Sequence, residues 1–440
     1  MPASDSTTRI EAVFRLEFPR VVATLAAFVG DLALAEDLSQ DALVDALRQW
    51  PRDGIPQNPG AWLTTVGKRR AIDLFRRNRT LTEKYAQLGP ELESAVALPA
   101  DEEIGLDPPS KEEIADDRLR LMFVSCHPVL SVPARTALTL RLIGGLTVPE
   151  IARAYVVPEP TIAQRIVRAK KTIAEAGVGF AVPVGADRAA RMDSVLQVVY
   201  LIFNEGYAST AGESWLRPDL CAEAVRLARV LAALIPDEPE VQGLLALLEF
   251  QSSRLRARTA PSGEPVLLLD QDRLAWDRLH IGRGEEALAR AESLAATRGP
   301  YTLQAAIAAR HARSFRPDDT RWDEIVSLYG ELARTTPSPI IELNRAVAVS
   351  MATGPDAALA IVDQLVATGT LERYHLLSSV RGDLLDRLGR HAEAAEEFDR
   401  AAGLATNDQE RKLTVQRASA ARSKAASGPS SLDDGAAPTP

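Results

Sequence analysis

Residues 146–171 read LTVPEIARAYVVPEPTIAQRIVRAKK, and the fold of the surrounding chain turns on them. Thr147 stands three residues before Glu150, the spacing at which two side chains cap each other's backbone at a helix start. From there Pro149 to Tyr155 reads as a short helix, Val156 to Pro158 as a tight link, and Thr161 to Ala174 as a second helix. Ile151, Ala152, Ile162, Ile166 and Ile173 supply an apolar seam, leaving Arg165, Arg168, Lys170 and Lys171 for solvent or phosphate. Two helices joined in this way form a helix-turn-helix, shaped to lay its second helix in a major groove. Val156 stands at the bend, where glycine is often used, and Pro158 and Pro160 favour a rigid start for the second helix.

Upstream, Ala134 to Leu142 is a further helix that Gly144 and Gly145 stop, so residues 115–176 make one small helical domain. Residues 11–78 make another. There Val13, Leu16, Val21, Leu25 and Phe28 recur at three- and four-residue steps, followed by Leu34, Leu38, Ala42, Leu43, Ala46 and Leu47. The proline-rich turn PRDGIPQNP at 51–59 precedes a helix expected to end near Asn78, with Trp62, Leu63, Val66, Ile72 and Phe75 as its buried stripe.

Charge is distributed unevenly. The chain has 440 residues and a net charge of −9, which alone would argue against a nucleic-acid partner. Yet Lys68, Arg69, Arg70, Arg76, Arg77 and Arg79 face one acid, Asp73, while Glu91 to Asp117 holds ten acids against Lys111. The overall figure thus conceals a basic helix and an acidic tether, placed at residues 79–114. Downstream, residues 186–415 are rich in alanine and leucine. Ala287, Trp322, Ala358 and Ala394 follow one another at 35, 36 and 36 residues, and Ala291, Val326, Val362 and Phe398 repeat those steps. That period belongs to stacked helical hairpins of the tetratricopeptide kind. In the same pattern Gly282 and Gly389 are the small residues that let helices approach. Residues 421–440, rich in Ala, Ser, Gly and Pro, read as a disordered tail. The fold class is therefore all-α.

Enzyme chemistry finds little footing. His127, His280, His311, His375 and His391 lack short metal-ligand spacing, no glycine-rich phosphate loop occurs, and Cys126 and Cys221 form no Cys-x-x-Cys pair. No enzymatic activity, metal or cofactor is expected. The longest apolar runs, such as Val195 to Phe203, are too short to span a bilayer, and the N-terminus lacks a signal-peptide pattern. A cytoplasmic protein without a membrane partner is expected.

Residues 11–78 resemble the first conserved domain of extracytoplasmic-function sigma factors of bacterial RNA polymerase, through AEDLSQDAL at 35–43, PGAWL at 59–63 and KRRAIDLFRR at 68–77. Residues 115–176 resemble the second, through LTVPEIA at 146–152 and TIAQRIVRAKK at 161–171. The helical extension resembles that of the subgroup carrying a tetratricopeptide-like domain, and Val195 to Tyr207, including Asn204, Glu205, Gly206 and Tyr207, resembles its junction. The resemblance implies that Glu36, Asp37, Leu38, Gln40, Asp41 and Leu43 bind the clamp helices of the polymerase's largest subunit, with a further contact at its flap region. Trp62, Lys68, Arg69 and Arg70 would recognise and melt the promoter minus-10 element, and Arg76 and Arg77 would contact the backbone. Thr161, Gln164, Arg165 and Arg168 would enter the minus-35 major groove, with Lys170 or Lys171 on phosphate. The acidic tether would thread the polymerase's RNA exit channel in imitation of RNA. The extension would hold a regulatory protein or pack intramolecularly on the DNA-binding domains.

Two other readings compete with this one: a helix-turn-helix regulator controlled through the repeats, and a protein scaffold built on them. The helix at 36–43 and the Trp62 helix distinguish the first, because a duplex-binding regulator needs neither. Salt-dependent DNA binding distinguishes the second.

Overall fold

The computed structural model describes residues 3–86, 111–155, 157–208, 216–260 and 264–427. Among these residues the chain is built of helices, with an isolated bridge between Thr259 and Pro265. It divides into two compact units, Met1–Leu201 and Ile202–Pro440.

The first unit opens with α1 (Ala3–Val29), α2 (Leu32–Asp53) and α3 (Pro59–Ala86), which pack on one another. Asp31 starts α2 by accepting a hydrogen bond from the Leu34 amide at 2.9 Å. The core stripe of α1 runs through Ile10, Phe14, Phe18, Val21, Val22 and Leu25, all buried. Leu16, expected in that stripe, is 80% exposed, because at 3.6 residues per turn the helix faces its neighbours through 14, 18, 21 and 25. Gly67 lets α3 approach α1: a Cβ there would stand 2.6 Å from a Leu25 methyl. The third helix runs to Ala86, beyond the expected end near Asn78.

After α3 come α4 (Lys111–Ser125), α5 (Val132–Leu142), α6 (Val148–Tyr155) and α7 (Glu159–Glu175), and α4 also packs against α1. The tether expected at 79–114 has its centre, residues 87–110, outside the described residues, as does Val156 at the bend. α8 (Gly185–Tyr207) begins in the first unit, where the Arg135 guanidinium donates to Ser194, and it ends in the second.

In the second unit α10 (Pro239–Ser253) lies between α9 (Pro218–Leu234), α11 (Arg278–Leu294) and α12 (Pro300–Arg313). It is buried nearly all round, including the Glu249 carboxylate, which Arg229 and His280 satisfy at 2.7 and 2.6 Å. Then α13 (Trp322–Thr335), α14 (Pro339–Ala352), α15 (Pro355–Thr368), α16 (His375–Arg387), α17 (His391–Leu404) and α18 (Asp408–Ser427) follow, each packed on the next. The 35- and 36-residue spacing thus places α11, α13, α15 and α17 as the leading helices of successive hairpins. Ala287, Ala291, Ala358, Val362, Ala394 and Phe398 are buried as that spacing implies, whereas Trp322 and Val326 are half-buried.

The small residue that admits a neighbour is Gly284 rather than Gly282. A Cβ on Gly284 would meet the Phe250 ring at 2.9 Å, while Gly282 has open space. Gly382 repeats the arrangement against Phe398 at 2.9 Å, and Gly389 serves as a turn residue with φ +78°. α18 reaches Ser427 with Ala421 buried, so helix extends into the segment whose composition reads as a tail; residues 428–440 lie outside the described residues.

Candidate nucleic-acid interface

The helix-turn-helix forms as its sequence dictates. The Thr147 amide donates to the Glu150 carboxylate at 2.8 Å and the Glu150 amide to the Thr147 hydroxyl at 3.4 Å, closing the capping box. Ile151 and Ala152 of α6 and Ile162, Ile166, Ala169 and Ile173 of α7 are buried, as the seam requires. Pro158 caps α7, which begins at Glu159, two residues before the expected start, with Pro160 in its first turn.

With the isoleucines turned inward, Thr161, Gln164 and Arg168 are exposed and Arg165 half-buried. These four line one face of a cleft of about 550 Å³, whose other wall is Val129 to Ser131 and Ala134 at the start of α5. Lys171 stands out in solvent, 3.5 Å from Glu175 one turn on. Lys170 does not share that face. It is 16% exposed and turns to the Glu36 carboxylate, which Arg141 also reaches at 2.6 Å.

Glu36 is accordingly buried, as is Leu38; Asp37 and Asp41 are exposed, and Gln40 and Leu43 half-buried. Burial pushes the Glu36 carboxyl up, but Arg141 and Lys170 outweigh it and hold it below the usual carboxylate range. On α3, Arg69, Arg76 and Arg77 are exposed. Arg70 is held by Asp45 at 2.6 Å and Asp41 at 3.0 Å, and the hydrogen bond it donates to Asp45 leads in raising the pKa of its guanidinium. Lys68 lies over the Phe28 ring at 5.6 Å, and Trp62 meets Trp50 edge-on at 5.2 Å. The exposed cations of α3 therefore form a row ahead of which a half-buried tryptophan stands.

Stretches of the chain match three families: Sigma-70 region 2 over 13–80, Sigma-70, region 4 over 120–173, and a family of unknown function, DUF6596, over 191–292. The two sigma matches fall on α1–α3 and on α4–α7, the helices that carry the exposed cations. This chain is an RNA polymerase sigma factor.

The sigma factor is 45% identical over 395 residues to the "Uncharacterized protein R00370" of Rhizobium meliloti (strain 1021), an alignment covering 89% of this chain and 91% of that one. It is 26% identical over 148 residues to the "ECF RNA polymerase sigma factor SigK" of Mycobacterium ulcerans (strain Agy99), covering 33% of this chain and 74% of that one. Its two sigma domains bind core RNA polymerase and promoter DNA. Among the described residues no helix is long and apolar enough to cross a membrane, and no group of His, Cys, Asp and Glu stands ready for a metal. Burial drives the thiols of Cys126 and Cys221 up to about 11 and about 12, above the ordinary thiol range.

Sequence reasoning missed the partners that restrain the sigma factor's charged residues: Arg141 beside Glu36, Asp45 beside Arg70 and Phe28 beneath Lys68. Helical periodicity carried part of the Arg70 signal, since Asp41 and Asp45 lie one turn apart on α2. No local signal joins Glu36 to residues 105 and 134 positions away.

The junction Asn204 to Tyr207 has a packing role in the second unit. A Cβ on Gly206 would stand 2.7 Å from the Cys221 amide, and Arg217 pairs with Glu205 at 2.9 Å. Arg258 lies over the Tyr207 ring at 3.6 Å and donates to its carbonyl oxygen.

Proposed function

We propose that α7 reads the minus-35 element through Thr161, Gln164, Arg165 and Arg168, while α3 engages and opens the minus-10 element. The observation that carries the reading is the common orientation of those four side chains along one open cleft, with the isoleucine seam behind them. Arginine and glutamine are suited to guanine and adenine edges, and each good bidentate pair discriminates by about 1–3 kcal/mol. Lys171 sits where it would meet phosphate. On α3, Arg69, Arg76 and Arg77 supply backbone attraction, and Trp62, with Lys68 and Arg70 about two turns on, would stack an extruded base.

Asp37, Gln40, Asp41 and Leu43 form the accessible part of the surface that would meet the clamp helices of the largest polymerase subunit, and residues 115–176 would meet its flap region. The acidic stretch at 79–114 suits a basic channel built for RNA. The hairpin extension supports initiation as a regulatory module.

The test mixes the full chain with sigma-free core polymerase, isolates the complex and scores open-complex formation on a promoter library. Association with promoter-selective opening is the expected result. Arg165→Ala combined with Arg168→Ala should weaken minus-35-dependent promoter binding on the order of 10- to 100-fold and leave association with polymerase intact. Failure to associate, together with tight duplex binding by the chain alone, would move the protein to the helix-turn-helix regulators.

A further inference from the structure

The stretch DQDRLAWD at 270–277 carries Arg273 and Trp276 into the interior of the second unit, where each is 2% exposed. The neighbouring acids are not their counter-ions. Asp272 accepts from the Leu274 amide and Asp277 from the Leu279 amide, both at 2.9 Å, so each is spent on starting a helical turn. Arg273 instead sends one nitrogen, Nη1, to three neutral oxygens: the carbonyls of His311 and Ser314 at 3.2 and 3.3 Å and the Thr320 hydroxyl at 3.0 Å. Its Nε and Nη2 are buried without a hydrogen-bond partner among the described residues, as are Trp276 Nε1 and His311 Nδ1.

A second cation stands beside the first. Arg254 lies 5.3 Å and Arg273 5.4 Å from the centre of the Trp276 ring. Stacking on an indole occupies the flat face of a guanidinium and leaves its in-plane N–H groups still in need of acceptors. Arg254 spends its Nε and Nη1 on the neutral side chains of Gln271 and Gln251, at 3.4 and 3.2 Å. Asp319, whose charge reaches Arg273, is itself exposed. Burial, and Arg254 after it, lowers the pKa of the Arg273 guanidinium, a direction that an incoming anion reverses. The two unpaired donors, Nε and Nη2, form one edge of the guanidinium, the fork that a carboxylate meets with both oxygens.

Ser314, whose carbonyl oxygen Arg273 holds, also lines an open cleft of about 530 Å³ with Arg310, Arg313, Phe315 and Arg321. That volume suits a small organic molecule. The arginines of the cleft already have partners, Arg310 and Arg321 in Glu324 and Arg313 in Glu285, whereas the Phe315 ring is 61% exposed. The cleft therefore offers an apolar wall, with the unpaired guanidinium edge behind Ser314.

We propose that the Nε–Nη2 edge of Arg273, assisted by Trp276 Nε1 and His311 Nδ1, binds the carboxylate of a small organic acid whose apolar body rests against Phe315 in the cleft. Entry is from the Ser314 side, where one residue separates the cleft from the guanidinium. A single free fork with neutral helpers matches one negative charge on two oxygens, and so selects a carboxylate over phosphate, which brings more oxygens and more charge. The site lies wholly in the extension and goes beyond the promoter reading, giving the hairpins a ligand of their own.

Calorimetric titration of the full-length chain with sodium benzoate, sodium acetate and inorganic phosphate, at constant ionic strength, tests the site. Benzoate should bind once per chain and about tenfold tighter than acetate, with no saturable heat from phosphate. Arg273→Lys keeps the charge and loses the fork, and should weaken benzoate at least about tenfold. Trp276→Phe keeps an aromatic ring and loses the N–H, and should weaken it about three- to tenfold. If circular dichroism shows one variant misfolded, the other decides. Absence of saturable benzoate binding up to about 50 mM overturns the site, as does parental affinity in a folded variant. Phosphate bound more tightly than either carboxylate overturns the assignment to an organic acid, and equal affinity for acetate and benzoate overturns the placement of the body in the cleft. The titration needs neither polymerase nor promoter, so its failure leaves the initiation reading standing. A chain that binds benzoate but never joins core polymerase loses that reading alone.

Discussion

The two units of this sigma factor both combine apolar cores with ion pairs, and they differ in how their helix groups are joined. Long-range ties in the first run through charge: Glu36 with Arg141 and Lys170, Arg70 with Asp41 and Asp45, Arg135 with Ser194. In the hairpins of the second, alanine and glycine bring helices close around aromatic and aliphatic wedges, with Leu343, Ala346, Ala358, Val362, Ala394 and Phe398 in one continuous core. A charged tie can be exchanged for water or for another partner at modest net cost, whereas a close-packed apolar contact has no substitute outside the fold.

Overfilling the second unit gives the largest effect by which that contrast can be broken. Gly382→Val places branched carbon where a single Cβ already stands 2.9 Å from Phe398 and 3.2 Å from the Ala394 carbonyl oxygen. We expect a loss of about 2–3 kcal/mol in urea unfolding of the full chain, read at Trp276 and Trp322. An unchanged midpoint would show that the hairpins yield as readily as the charged half.

Acid probes the contrast from the other side, because the second unit buries a histidine. Burial, reinforced by Arg254 and Arg273, pushes His311 down to about 3. Its folded value lies below the unfolded value of 6.5, so the unfolded chain binds more protons in between. Stability from this group is complete above pH 6.5 and declines as the pH falls toward 3, by at most about 1.4 kcal/mol per pH unit. Urea midpoints of the second unit at pH 7 and pH 5 should therefore differ, and His311→Gln should flatten the difference. A parent protein insensitive between those values would refute it.

The smallest effect belongs to the capping box. Thr147→Ala removes a local cap from a helix otherwise fixed by Ile151 and Ala152, at a cost of about 1 kcal/mol. Faster amide exchange confined to α6 is the expected readout, and exchange spreading to α1 would mean that the two sigma domains are less separable than their charged ties suggest.

What the sequence disclosed follows the range of the forces involved. The capping box, the isoleucine seam and the 35- and 36-residue spacing each depend on neighbours a few residues away or on an exact repeat, and all three appear in the structure. Leu16 was misplaced because apolar residues occur on more than one face of α1, and which face is buried depends on where α2 and α3 dock. The pairing glycine in α11 was misassigned by two residues for the same reason, since small size is legible and facing direction is not. At the candidate interface, Thr161, Gln164, Arg165 and Arg168 were legible as the polar face of an amphipathic helix. The inward turn of Lys170 was not, because a lysine beside a lysine has the same local pattern whichever of the two meets an acid more than a hundred residues away.

Stacking of α13 to α18, in which each helix leans on its immediate neighbours, carries a mechanical consequence. Folding energy in such an array is a sum of nearest-neighbour terms rather than a single all-or-none quantity. Among the described helices α16 packs more closely on α17 than on α15, so under load or protease the array parts first between α15 and α16. The extension thus gives way in blocks at its weaker seams, in contrast to a domain that fails all at once.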